Sequence, residues 1–162
     1  MYIYYSRRYW IMWLSFLVAI ILQIIPYPEN LLLFRPSWLL LVMINWVLIF
    51  PHQSNFSISF IIGLITDLMY GSTLGIHSLA FSIITYLVVC KNYQFNHYML
   101  WQQALLIIGL SWIINIVVFL LEYFVIRGIF CPEYIFSSII NGILWPWLHL
   151  LMNKIFYKYS IR

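Results

Sequence analysis

The sequence predicts an all-α, polytopic integral membrane protein with six transmembrane helices. Composition is the first reason: of 162 residues, 65% are hydrophobic, 20% aromatic and 7% charged, and the mean hydropathy is +0.96. A water-soluble domain carries roughly 45–50% apolar and about 25% charged residues, so a surface built from this chain cannot be wetted on every side. Length is the second. At about 20 residues per spanning helix, roughly six crossings use the whole chain, so residues 1–162 are expected to form a single membrane-embedded helical domain without a catalytic globule. Punctuation by Pro, Gly and polar residues is the third, because it divides the chain into apolar segments.

The first segment, Tyr9 to Ile25, is an uncharged run of 17 residues behind Arg7 and Arg8, and Pro26-Tyr27-Pro28 ends it. A basic front and an apolar run resemble a signal peptide, but no small-x-small site closes it, so an uncleaved helix is expected. The second, Pro36 to Phe50, begins on a good first-turn residue and stops at Pro51-His52. At ~1.5 Å per residue it spans barely about 22 Å of a ~30 Å hydrocarbon core, so it must extend, thin the bilayer or be shielded by neighbours. The third, Phe56 to Tyr70, and the fourth, Leu74 to Cys90, are joined by Gly71-Ser72-Thr73, a turn short enough to make them antiparallel neighbours. The fifth, Leu100 to Val125, follows a polar loop containing Lys91, Asn92, Gln94, Asn96 and His97. The sixth, Tyr134 to Phe156, contains Pro146, which is expected to kink it.

The net charge of +4 is scattered in ones and twos at segment edges, with no basic strip to track phosphates, so nucleic acid is excluded as a partner. The cations instead orient the chain. With an even number of crossings and cytoplasmic termini, Arg7, Arg8, Lys91, Lys154, Lys158 and Arg162 lie inside, and only Arg35 and Arg127 outside. This map puts Cys90 inside and Cys131 outside, so no internal disulfide is expected. Trp10, Trp38, Tyr93 and Trp101 stand at segment ends, where interfacial anchors belong. His52, His77, His97 and His149 show no metal-ligand spacing, and neither a metal nor another cofactor is expected.

Polar and small residues cluster on helix faces at 100° per residue. The third segment aligns Ser59, Gly63, Thr66, Asp67 and Tyr70, and the fourth Gly75, Ser78, Ser82 and Thr85. Ser111, Asn115 and Glu122 align on the fifth, and Ser138, Asn141, Gly142, Trp145 and His149 on the sixth. The first two segments add little beyond Ser15, Gln23 and Asn45. Helices three to six are therefore expected to turn polar stripes toward a common interior. Two readings stay open: close helix packing through small residues, with Ser138 and Gly142 as a small-xxx-small pair, or a cleft that binds a lipid headgroup, a small molecule or a partner helix.

Asp67 is the most telling residue, since a carboxylate in mid-membrane costs about 2.5–3.5 kcal/mol and one near a helix C-terminus opposes the macrodipole. Water, or a hydrogen bond from Ser72, Thr73 or His77, must compensate it, either to fasten the turn or to serve binding. Glu122, one turn from a helix end, is expected to reach the interface or to pair with Arg127 or Arg35. Asp67, Ser72 and His77 lie close in sequence, but no nucleophile elbow accompanies them, so hydrolysis is not expected. The partner- or ligand-binding candidates are Ser59, Gly63, Asp67, Tyr70, Gly71, Gly75, Asn115, Glu122, Ser138, Asn141, Gly142 and Trp145, with Arg35 and Pro36 on the outer side.

Leu22-Gln23-Ile24-Ile25-Pro26-Tyr27-Pro28, Phe34-Arg35-Pro36-Ser37-Trp38, Asn45-Trp46 and Pro51-His52 resemble the N-terminal half of the MreD family of rod shape-determining proteins. The run from Gly63 to Gly75 is similar to the family's central motif, and Trp101-Gln102-Gln103-Ala104 and the run from Asn141 to Trp147 to its C-terminal half. The resemblance implies a non-catalytic, multi-pass protein of the bacterial inner membrane that works in cell elongation and peptidoglycan synthesis. It implies MreC as the direct partner, with MreB, RodA and a class B penicillin-binding protein in the same complex, and membrane lipid around it. It also implies a fold like the substrate-binding subunits of energy-coupling-factor transporters. Self-association is left open. Two departures stand out: Gln53 replaces an Arg common after Pro-His, and Asn115 stands where relatives can carry an acid. The expected role is an adaptor that docks the single-pass segment of MreC, with Gly63 and Asp67 on the docking face. A small-molecule or lipid-binding subunit, with its pocket among helices three to six, is the alternative.

Overall fold

The computed structural model describes residues 2–26, 28, 35–50, 55–126 and 133–160. Among them are six α-helices and no strand: α1 (Tyr2–Ile24), α2 (Trp38–Ile49), α3 (Asn55–Tyr70), α4 (Ile76–His97), α5 (Leu100–Ile126) and α6 (Glu133–Ser160). Three boundaries differ from the sequence expectation. Helix α1 starts at Tyr2, before Arg7 and Arg8, because charge ends an apolar run without ending backbone hydrogen bonding. Helix α4 continues through the expected polar loop to His97, since no Gly or Pro interrupts it after Gly75. Phe95 on those last turns is buried, and the link to α5 shrinks to Tyr98-Met99. Helix α6 passes through Pro146 and runs on to Ser160.

Helix α2 is the centre of the structure. All ten residues from Leu39 to Leu48 are buried, against α1 on one side and α3, α4 and α6 on the others. A helix that is apolar all round belongs where protein encloses it all round, so shielding by neighbours is what answers its shortness. The other helices each turn one stripe inward. On α1 it is Met12, Phe16, Ala19 and Gln23; on α5 it is Gln103, Ile107, Ser111, Ile114 and Val118. On α6 it is Ser138, Asn141, Trp145, Leu148 and Met152. These steps of three and four are the helical period.

The stripes mix polar with apolar side chains, and large apolar side chains cover the outside. Gln23, Asn45, Ser59, Thr66, Asp67, Ser78, Thr85, Gln103, Ser111, Ser138 and Asn141 are all buried, whereas Trp13, Leu17, Phe60, Leu68, Trp112, Ile116, Phe124, Ile143 and Trp147 face outward. An apolar exterior, with the polar side chains kept inside among the apolar core, suits a lipid environment, which offers no hydrogen bonds. Among the described residues one segment, Leu100–Val125, is by itself long and apolar enough to cross a membrane; Trp10–Ile24, Trp38–Ile49 and Phe56–Tyr70 are apolar but shorter. Trp10, Tyr93 and Trp101 are exposed as anchors require, but Trp38 is half-buried against the core, with its indole N–H enclosed.

The two most extensive helix contacts are α3 with α4 and α5 with α6. The α4–α5 junction is closed at its short connection by Gln103, whose amide donates to the carbonyls of Phe95 and Tyr98, both at 3.2 Å. The same side chain accepts the indole N–H of Trp145 from α6 at 3.3 Å. Towards the α3–α4 turn the two hairpins leave a space between them, floored by the start of α2.

Candidate functional site

The α3–α4 turn is built around Asp67. Helix α3 ends at Gly71, whose φ of 63° only glycine adopts without strain, and the amide of Ser72 returns to the carbonyl of Asp67 at 3.1 Å. That bond closes a Schellman cap, and Gly75, at φ 110°, then leads into α4. The buried Asp67 carboxylate accepts from Ser72 Oγ at 2.9 Å, the Gly75 amide at 2.8 Å, the His77 amide at 3.0 Å and His77 Nδ1 at 2.8 Å. Gly75 and His77 supply N–H groups from the first turn of α4, so a side chain of α3 caps the helix that follows it. The α4 dipole thus favours a charge that the α3 dipole opposes. Ser72 and His77, two of the three expected compensators, share the work with the Gly75 amide; the hydroxyl of Thr73 is buried without a partner among the described residues. This geometry favours the fastening role of Asp67 over a binding one.

A second knot holds the entrance to α2. The buried Gln23 amide accepts from the Trp38 amide at 3.0 Å and donates to the Tyr70 hydroxyl, joining α1, α2 and α3. Arg35 donates to the Gln23 carbonyl, and its guanidinium lies 5.3 Å from the centroid of the Tyr70 ring. From α6, Ser137 donates to the Arg35 carbonyl at 2.9 Å, and Asn141 accepts the Ser37 amide at 2.9 Å while donating to Ser111 at 3.3 Å. Pro36, buried between these contacts, needs no amide partner of its own.

Between the knots lies a cavity of about 460 Å³ lined by residues of α2, α3, α4 and α5 together with Gln23 and Ser137. Of the residues singled out from sequence, Arg35, Tyr70, Asn115 and Glu122 line it. Gln23, Ser37, Ser72, His77 and Ser137 line it as well. Sequence reasoning marks Gln23, Ser72 and His77 as polar positions but misses Ser37 and Ser137, as well as the meeting of all five, because it is long-range; the usable signal was an uncharged amide, Gln23, near the end of an apolar helix. Asn115 donates to Ser138 at 3.0 Å, which ties α5 to α6 beside the cavity. Glu122 makes no ion pair with Arg35, and Arg127, its other expected partner, lies outside the described residues.

The remaining candidates pack helices. A Cβ at Gly63 would come within 2.2 Å of the Ser78 Cα, so α3 and α4 touch backbone to backbone there. Ser59 bonds Thr85 across the same interface. A Cβ at Gly142 would meet the Ile108 side chain at 2.3 Å, and Ser138 bonds Asn115, so both small residues of α6 pack against α5. Trp145 is fully buried, stacked 5.4 Å from His149, which in turn neighbours Asn45 and Asn153. Gly63 and Asp67, expected on a docking face, are thus engaged inside the bundle. Among the described residues Cys90 is exposed, while Cys131, His52 and Gln53 lie outside them.

A model of the family described as rod shape-determining protein MreD matches residues 5–155. The chain belongs to the MreD family. It is 36% identical over 162 residues to the rod shape-determining protein MreD of Haemophilus influenzae, a match covering 97% of this chain and 99% of that protein. No solved structure matches it. Membership in MreD places the chain among membrane proteins with a role in cell shape, which agrees with the apolar exterior and the interior hydrogen bonds described above.

Proposed function

We propose that the chain is a multi-pass component of the bacterial inner membrane, one helical domain with six crossings and both termini cytoplasmic, resembling energy-coupling-factor substrate-binding subunits. In this reading it is a non-catalytic adaptor of the elongation machinery. It docks the single-pass segment of MreC, and MreB, RodA and a class B penicillin-binding protein belong to the same complex. The observation that carries the reading is a groove of about 360 Å³ between α1 and α6, lined by Leu14, Val18, Val42, Trp46, Leu151 and Met152 among others. Here α1 and α6 scarcely touch, and α2 forms the floor. In lipid, helices associate by close packing rather than by escape from water, so an apolar groove between two helices offers what a single-pass segment needs. The α3 face is less suitable, since Gly63 and Asp67 are already engaged.

The test is to fill the groove from its rim. Val18→Trp with Leu151→Trp changes exposed side chains and is expected to abolish co-purification with MreC and to round the cells. Undiminished co-purification removes the docking role from this groove. Reporter fusions at both ends test the topology, which fails if the two ends report different compartments.

A second reading is favoured by the cavity at the α3–α4 turn: a subunit that holds a small molecule or lipid headgroup. At about 460 Å³ it falls within the ~300–1,000 Å³ of ligand pockets and has convergent polar groups. Native mass spectrometry of the purified protein tests it, and a preparation that never retains a bound species overturns it.

A further inference from the structure

The cavity at the α3–α4 turn contains two side chains of opposite charge that do not pair. Arg35 enters from the segment before α2 and Glu122 from α5, and among the described residues neither has an ion-pair partner. Arg35 is held in a fixed pose by its bond to the Gln23 carbonyl and by the Tyr70 ring, yet its Nε is buried with no hydrogen-bond partner among the described residues. A buried donor left unmade is costly, and a planar guanidinium fork suits a phosphate or carboxylate. Glu122 is half-buried and seven residues beyond Asn115, so both stand on the same face of α5. An ionisable side chain within so apolar a helix has a partner or a purpose.

The other charge near the cavity is already compensated. Asp67 is fully buried, and its carboxylate holds four hydrogen bonds, two of them from His77. Among the described residues that leaves Arg35 and Glu122 as the formal charges open to a ligand, with the neutral groups of Ser37, Asn115 and Ser137 alongside. A simple anion would satisfy Arg35 and be repelled by Glu122, and a simple cation would do the reverse.

We propose that this cavity binds a zwitterion of the phosphoethanolamine type, with the phosphate on Arg35 and the primary ammonium on Glu122. The proposal rests on the second reading above and adds to it the charge pattern of the ligand. That chemistry reaches the cavity either as the headgroup of a bilayer lipid or as a soluble phosphodiester.

The experiment is native mass spectrometry of the full chain, titrated with phosphatidylethanolamine, with phosphatidylglycerol and with soluble glycerophosphoethanolamine. Phosphatidylethanolamine is expected to be retained roughly tenfold better than phosphatidylglycerol, about the worth of one charge-assisted bond. Glu122→Gln is expected to bring the two lipids to parity, and because Glu122 has no ion pair among the described residues, helical packing is expected to survive the change. Arg35→Gln is expected to weaken both lipids. Displacement of phosphatidylethanolamine by glycerophosphoethanolamine would identify the headgroup as sufficient, and retention of the lipid alone would identify a lipid site; both support the proposal. Equal retention of the two lipids by the unaltered protein, or a preference that Glu122→Gln leaves unchanged, overturns the zwitterion while leaving a binding cavity in place. Retention of no species under any condition overturns both.

Discussion

The carboxylate of Asp67 accepts the backbone N–H of His77 at 3.0 Å, so the last turn of α3 caps the first turn of α4. This explains how an acid is accommodated in an apolar hairpin. Its negative charge sits at the positive end of one helix dipole, and four donors replace the water it has lost.

Asp67→Asn is therefore expected to destabilise the protein although it keeps the shape of the side chain. An amide has one acceptor oxygen, so its NH₂ would confront the amide of Gly75 or of His77. The expected loss is about 2 kcal/mol, and Asp67→Ala, which strands every donor, is expected to lose more. Ser72→Ala removes one donor of the set and is expected to cost about 1 kcal/mol. Denaturant titration in detergent, read by tryptophan fluorescence, gives the order Ala, Asn, Ser72→Ala from worst to least. Equal stability of Asp67→Asn and the unaltered protein would refute the capping role.

The two buried glycines on α3 and α6 differ in what a methyl group would strike. At Gly63 it meets the backbone of Ser78 at 2.2 and 2.6 Å, which cannot yield unless the helices part. At Gly142 the closest atoms belong to the Ile108 side chain, which can turn to another rotamer. Gly63→Ala is expected to cost about 3 kcal/mol or to prevent folding, and Gly142→Ala about 1 kcal/mol. Thermal stability of the two variants in the same detergent checks the ranking.

How much of this was written in the sequence depends on the range of the interaction. Ser59, Thr66 and Asp67 were legible as inward-facing because helical period needs only local spacing, and Ser72 and His77 were legible as partners of Asp67 because they follow within ten residues. The shortness of α2 was legible, with shielding as one of three ways to answer it, though not its central position. What local spacing could not supply was the meeting of Gln23, Arg35 and Tyr70, which depends on how α1, α2 and α3 stack. The extent of α4 was misread for another reason: polar residues from Lys91 to His97 look like a loop, but no Gly or Pro interrupts them, and Phe95 and Gln103 anchor those turns to the core.

Gln23→Leu tests the knot at the entrance to α2. The substitution keeps the volume but leaves the Trp38 amide without its acceptor and the Tyr70 hydroxyl without its donor. An unsatisfied buried donor costs about 1–3 kcal/mol, so a loss in that range is expected. Because Arg35 bonds the backbone carbonyl of Gln23 rather than its side chain, that contact survives the change. The prediction is thus a weaker α1–α2 junction around an intact Arg35, read as faster proteolysis near residue 26 with little change at the α4–α5 junction.

Gln103→Leu acts at the opposite end. Its amide donates to Phe95 and Tyr98 and accepts from Trp145, so one side chain ties α4, the connection and α6 to α5. Leucine fills the space but leaves two carbonyls and a buried indole N–H unmade, at an expected cost of about 2–3 kcal/mol. Since this is where the two hairpins are clamped, loosening it is expected to let them move at the other end, where the polar cavity lies. Cysteine pairs across that cavity, at Phe81 on α4 and Ile114 on α5, are expected to crosslink less uniformly in the variant than in the unaltered bundle. A stability loss with unchanged crosslinking would mean that the clamp supports the core without setting the width of the cavity.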